Sequence, residues 1–292
     1  MRTVEIAYRY DANDASVRSR PADPDAALLR LNEGNHAFAE LLNSVKGDGS
    51  PVRRVVQVDP RDLGLLRGAN GAPLQRPFAA VLGCSDARVP LELIFNEGPN
   101  DLFVVRVAGN GLGSDVLGSL KYAIEHLGDS LKLIVVLGHS GCGAVSAAVD
   151  VFLRPGDYLP IATRHSLREI LDRLLVVVHA SARTLVAAFG PDVVHRAGYR
   201  RALIEASVVV NAALGAYSVQ QEIGTYTQSA LQAVYGVYLL ETREVWTPRP
   251  GHPDAAGLAA APVDFAGFEK LRDAMVKSSR ITALLDAELD TD

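Results

Sequence analysis

Apolar residues come in short, nearly unbroken runs at 78–83, 102–107 and 132–138, interrupted only by Arg106 and Lys132. Runs of that length without alternation read as strands buried on both faces. Between and after them the spacing turns helical, over 90–95, 115–127, 142–151, 165–189 and 200–223. Strands alternating with helices predict an α/β fold: a central, mostly parallel sheet flanked by helices and joined by right-handed crossovers. Ahead of this core, 25–42 reads as an N-terminal helical arm with Ala27, Leu28, Leu31, Phe38 and Leu42 on one face. Between arm and core, 47–77 carries Pro51, Pro60, Pro73 and Pro77 and reads as loop. The segments 231–239 and 244–247 suggest a hairpin at the sheet edge. The division expected is a flexible lead-in over 1–24, a main domain over 25–247, and a tail over 248–292. That tail comprises a Pro- and Gly-rich linker and a C-terminal amphipathic helix at about 267–288. There is no internal repeat.

Composition narrows the class. A chain of 292 residues with 48% hydrophobic residues can bury a sizeable core. Its net charge of −5, with the signs interspersed, leaves no basic stripe for nucleic acid. Residues 1–14 have no apolar core of the signal-peptide kind. The longest apolar stretches, Leu174 to Val178 and Val208 to Leu214, are far short of a membrane span. The expectation is a cytoplasmic enzyme acting on neither nucleic acid nor membrane, its two cysteines suiting a reducing compartment.

Those two cysteines carry the chemistry. Cys84 follows the first strand run, and His139-Ser140-Gly141-Cys142 follows the third. Both segments therefore fall at carboxyl ends of strands, where open α/β sheets build their sites. Two thiolates and an imidazole form a three-ligand zinc set that leaves a fourth position for water or substrate; a closed structural site takes four protein ligands. His139 and Cys142, three apart where strand turns into helix, can converge on one metal, the helix amino end favouring the Cys142 thiolate. A disulfide, or two small buried hydrophobes, are the bland alternatives. Asp86 and Arg88 stand just after Cys84; the pair reads either as an ordinary loop salt bridge or as a dyad that orients an ionised carboxylate beside the metal.

The motifs Cys-Ser-Asp-Ala-Arg-Val-Pro at 84–90 and Gly-His-Ser-Gly-Cys-Gly at 138–143 resemble those of the β-class carbonic anhydrases. The likeness extends over about 27–247, taking in Leu31 to Asn35, Phe103 to Arg106, Ser119 to Ile124 and Val234 to Tyr238. It implies one zinc per chain held by Cys84, His139 and Cys142, with Asp86 and Arg88 as the catalytic dyad. The reaction implied is reversible hydration of carbon dioxide to bicarbonate and a proton by zinc-bound hydroxide. The resemblance further implies a plant-type substrate pocket of Gln75, Phe103, Tyr122 and Gly143, and a homodimer or higher homo-oligomer with the pocket at the subunit boundary. Val107 stands where the family usually carries Asn, implying a hydrogen bond lost or replaced. No remaining histidine is assigned as a proton shuttle; His126 is the nearest candidate by sequence. Hydrolysis of carbon disulfide or carbonyl sulfide on the same scaffold is the alternative activity, and a non-catalytic zinc or thiol sensor is the third reading.

Overall fold

The computed structural model describes residues 3–10, 19–41, 43, 52–64, 71–226 and 231–287. Leu42 and the side chain of His165 lie outside the described residues. The predicted runs form the sheet: β3 (Ala79–Gly83), β4 (Leu102–Arg106), β5 (Leu133–His139) and β6 (Gln232–Tyr238) lie side by side in the order β4-β3-β5-β6, all parallel. All residues of β3 and β5 are buried, as strands covered on both faces must be. β7 (Val245–Trp246) turns back antiparallel on β6, completing the expected edge hairpin.

Helices cover both faces. On one lie α3 (Ser114–Leu127), α4 (Gly143–Leu153), α6 (His165–Phe189) and α7 (Tyr199–Tyr226), which share a core with Leu82, Ile134 and Val136. On the other, α1 (Pro24–Ala39) and α2 (Leu91–Ile94) pack Ala27, Leu31, Leu91 and Ile94 against Val81, Val135 and Val234. Asp23 caps α1 by accepting from the Ala26 N–H at 2.8 Å, with Pro24 in the first turn. Among the described residues α7 is the one helix long and apolar enough to cross a bilayer, beyond what the apolar stretches suggested. It is nevertheless a core helix, with 72% of its most apolar window buried.

Four expectations need correction. The lead-in over 1–24 is not simply flexible: β1 (Val4–Tyr10) pairs in parallel with β2 (Val52–Val58), itself within the stretch read as loop. β1 is largely exposed and β2 only partly buried, and both carry charges, so the buried-run signal that marked the core strands is missing. The segment after Pro248 is not a free linker either. β8 (Ala259–Ala260) adds antiparallel to β6 along the same edge as β7 but nearer the amino end of the strand, at Val234 and Tyr235, and Leu258 is buried beside it. Beyond it stand two helices rather than one, α8 (Phe265–Val276) and α9 (Ser279–Asp286), divided where Ser278 caps the second by accepting from the Ile281 N–H. A short α5 (Tyr158–Ala162) precedes α6.

α9 lies against the start of α7 at a contact that tolerates only glycine. A Cβ on Gly198 would come 1.6 Å from the Leu284 carbonyl oxygen. Gly198→Ala is therefore expected to prise α9 away and cost about 1–3 kcal/mol, the usual range for overpacking, read as a lowered midpoint in urea denaturation.

Candidate metal centre

Register brings the ligands together. Gly83 of β3 pairs with Leu137 of β5, so the chain leaves both strands at nearly one level. After β5 the backbone turns sharply through Gly141, whose φ of +61° suits glycine, and Cys142 becomes the N-cap of α4. Cys84 Sγ and Cys142 Sγ then lie 3.9 Å apart. Together with a ring nitrogen of His139 they fall within 4.8 Å of one another, and all three residues are buried.

The donor set fits zinc. Two Zn–S bonds of about 2.3 Å at a tetrahedral angle place the sulfurs about 3.8 Å apart, whereas a disulfide needs about 2.05 Å; both cysteines are free thiols. His139 Nδ1 lies 3.0 Å from the Ser140 carbonyl oxygen. A carbonyl only accepts, so Nδ1 carries the proton and Nε2 presents its lone pair. Among the described residues Nε2 is buried with no hydrogen-bond partner, which costs free energy unless something electrophilic meets it. The disulfide and plain-hydrophobe readings therefore fall.

Electrostatics sharpen the set. The Cys84 thiol is held far below its ordinary value, chiefly by the Cys142 thiol donating to it and also by the Gly109 N–H, 3.4 Å from the sulfur. Cys142 is pushed up by that same contact with Cys84 and by burial, while the N–H groups of Val145 and Ala144 at the start of α4 act in the opposite sense. A divalent cation removes the competition by favouring the thiolate at both.

Asp86 stands at the rim. Arg88 grips it with two parallel bonds, Nε to Oδ1 at 3.0 Å and an Nη to Oδ2 at 2.7 Å, and its backbone N–H adds a third at 2.9 Å. This grip holds the Asp86 carboxyl far below the usual carboxylate range. Asp86 Oδ2 is 3.8 Å from His139 Nε2, so the ionised carboxylate borders the ligand set while remaining paired with Arg88. Gly143 opens α4, and a Cβ there would meet nothing within 4 Å.

The rest of the expected pocket lies elsewhere in the chain. Gln75 is exposed ahead of β3, and its neighbours Leu74 and Arg76 bond to Asn100, which precedes β4. It thus sits at the amino end of the sheet, a full strand from Cys84. Phe103 pairs in register with Ala80, four positions before Cys84, and is half-buried. Tyr122 is 48% exposed on α3 and stacks on His126, ring centroids 4.5 Å apart. Within one chain these side chains do not gather round the cysteines, and His126 faces outward.

Further residues around the centre have roles that no local motif announces. Arg106 donates to the carbonyls of Cys84 at 3.0 Å and Asp86 at 2.5 Å, clamping the loop between them; Val107 packs against the core. Asn211 fixes Gly109 through its carbonyl at 2.9 Å. Glu205 and Glu241 hold the turn 140–141. A lone Glu within the apolar run of α7 is the signal that points to Glu205, because a buried charge must find a partner.

A mostly parallel α/β sheet with a Cys-His-Cys set at its carboxyl edge defines a scaffold whose three donors fit zinc with one coordination position left over. The family model described as carbonic anhydrase matches residues 79–239, more than half of the chain. The chain belongs to the β-carbonic anhydrase family. Carbonic anhydrase 2 of Mycobacterium tuberculosis is 42% identical over 140 residues, covering 47% of this chain and 59% of that protein. A carbonic anhydrase of Mycolicibacterium smegmatis is 40% identical over 129 residues, covering 44% and 54%. The chain thus spans between half and two thirds of these curated relatives. Among solved structures, a Coccomyxa β-carbonic anhydrase in complex with acetazolamide is 21% identical, covers 69% of this chain and 79% of its own, and has a TM-score of 0.47.

Proposed function

We propose that this protein catalyses the reversible hydration of carbon dioxide to bicarbonate and a proton, with one zinc per chain held by Cys84, His139 and Cys142. The observation that carries the reading is the convergence of two thiols and a free imidazole nitrogen beside a carboxylate already gripped by an arginine. Zinc, when bound, supplies a Lewis acid that lowers the pKa of water toward neutrality. Arg88 keeps Asp86 ionised, so Asp86 offers a hydrogen-bond acceptor that orients the attacking water and does not store its proton. His139, tied through Nδ1 to Ser140, keeps Nε2 free for the metal. The open space beside Gly143 leaves room for a small linear substrate.

Gln75, Phe103 and Tyr122 serve, on this reading, the centre of a second copy in a homodimer or larger homo-oligomer, which accounts for their distance from their own chain's cysteines. Two free thiols 3.9 Å apart support a reducing, cytoplasmic location. On this reading the segment after 247 belongs with the domain over 25–247, because β8 adds to the same sheet.

Stopped-flow measurement of carbon dioxide hydration near pH 8, with zinc assayed on the same sample, tests the reading. Rapid turnover at about one zinc per chain is expected. Stoichiometric zinc with no hydration at pH 8 or above would sink it, and turnover of carbonyl sulfide or carbon disulfide by that sample would assign the scaffold to those substrates.

A further inference from the structure

The turn that carries two of the three ligands is buried at His139, Ser140 and Cys142, and the Ser140 N–H donates to the Tyr238 carbonyl at 2.9 Å, but its tip at Gly141 is exposed. A Cβ on Gly141 would find nothing within 4 Å. Two carboxylates hold that tip from outside the turn. Glu205 Oε1 accepts the Gly141 N–H at 2.8 Å. Glu241 Oε2 accepts the Ser140 hydroxyl at 2.9 Å, and that hydroxyl oxygen accepts in turn from the Leu240 N–H at 2.9 Å. One guanidinium joins the two acids: Arg280 donates through Nε to Glu205 Oε2 at 2.9 Å and through an Nη to Glu241 Oε1. The side chain of Glu205 is 7% exposed and that of Arg280 is 19% exposed.

Arg280 belongs to the first turn of α9, outside residues 79–239 that the family match covers. The start of α9 is itself fixed, since Asp254 accepts from the Ser279 N–H at 2.9 Å and from its hydroxyl at 2.8 Å. We propose that Arg280 is a positioning residue of the metal centre: through Glu205 and Glu241, the C-terminal helix sets the His139–Cys142 turn so that its two ligands converge with Cys84. The electrostatic logic is direct. Two carboxylates drawn to one turn repel one another, the more so because Glu205 is buried although Glu241 is half exposed. A cation between the acids removes that repulsion and lets each hold its residue of the turn. Arginine suits the task because its fork reaches both acids from one stem. The inference rests on the zinc reading above.

The test compares zinc-loaded wild type with Arg280→Met, Arg280→Lys, Glu241→Gln and Arg30→Met. Arg30 pairs with the fully buried Glu97 near the amino end of the sheet, so its variant loses a comparable buried pair away from the metal. Two readouts are used: the rate of zinc release to excess chelator, and the visible spectrum of the cobalt-substituted protein. Arg280→Met is expected to release zinc about tenfold faster or more, the usual scale for supporting groups around a metal, with displaced cobalt bands. Arg280→Lys should recover part of the loss. Glu241→Gln, which keeps the buried Glu205–Arg280 pair, should shift both readouts the same way by less. Arg30→Met should melt earlier yet release zinc at the wild-type rate.

Wild-type release rates and cobalt spectra in both Arg280→Met and Glu241→Gln would overturn the proposal. So would faster release in Arg30→Met equal to that in Arg280→Met, since general loosening would then explain the effect. If Arg280→Met does not fold, Glu241→Gln decides alone. A wild-type protein that binds no zinc refutes the metal assignment itself, a different outcome from variants that bind it unchanged.

Discussion

His139→Ala should abolish zinc retention and carbon dioxide hydration together while leaving a folded protein. The ring supplies the only neutral ligand atom of the set, and its removal leaves two thiols 3.9 Å apart with nothing opposite. Losing a direct ligand should exceed the 10–100-fold penalty typical of outer groups, so turnover should fall to the uncatalysed background. The fold should survive because Nε2 is already a buried nitrogen without a partner. Deleting it removes an unmet polar group, which partly offsets the small cavity created. The same argument ties metal to stability, since zinc binds only the folded arrangement of the three ligands. Holo wild type should melt well above the chelated form, and His139→Ala should melt at one temperature with or without added zinc. Metal analysis, stopped-flow hydration and paired melting curves check the claim. Stoichiometric zinc in His139→Ala would remove His139 from the ligand set.

The parts of this centre that were legible in the sequence share a cause. β3 and β5 are short apolar runs because both faces are covered, and such runs announce their ends clearly. Cys84 and His139 stand just at those ends, so fold and ligand set emerge from one signal. The loop Asp86–Arg88 pair was visible because its partners are two residues apart. What stayed hidden depends on contacts distant in sequence. Arg106 reaches back 22 residues to the Cys84 carbonyl, and Arg280 reaches 75 residues to Glu205. No local pattern encodes such a meeting. β1 and β2 escaped for another reason: with β1 largely exposed and β2 only partly buried, the pair keeps charged residues among its apolar ones and shows no unbroken run. The tail misled because Pro and Gly between 248 and 262 look like linker, while their turns in fact bring β8 onto β6.

Asp86→Asn should keep zinc and lose most of the turnover. Asp86 is not among the three converging ligand atoms, so metal content should stay near that of wild type. The substitution replaces a carboxylate acceptor with an amide that offers one acceptor and one donor, and the two parallel bonds from Arg88 cannot both persist. Misorientation of the attacking water at the rim should then cost about 10²–10⁴ in kcat, the usual span for positioned proton-handling groups. Loss of stability does not explain such a drop, because the Arg88 side chain is 63% exposed and ion pairs so open contribute little to folding. The pH dependence separates this role from that of a general base. The Asp86 carboxyl is depressed from its ordinary 3.8, first by the Arg88 side chain. Its pairing therefore stabilises the fold fully above that ordinary value and is lost only as pH falls below it. Across pH 6–9 Asp86 stays ionised and contributes no inflection, so a rise of wild-type activity with pH is expected to come from water that zinc, when bound, would acidify. Asp86→Asn should lower the whole profile without moving its midpoint by more than a few tenths of a unit, in stopped-flow runs at matched zinc content. A midpoint displaced by a full unit or more would make Asp86 part of the titrating group, and unchanged turnover would remove it from the reaction.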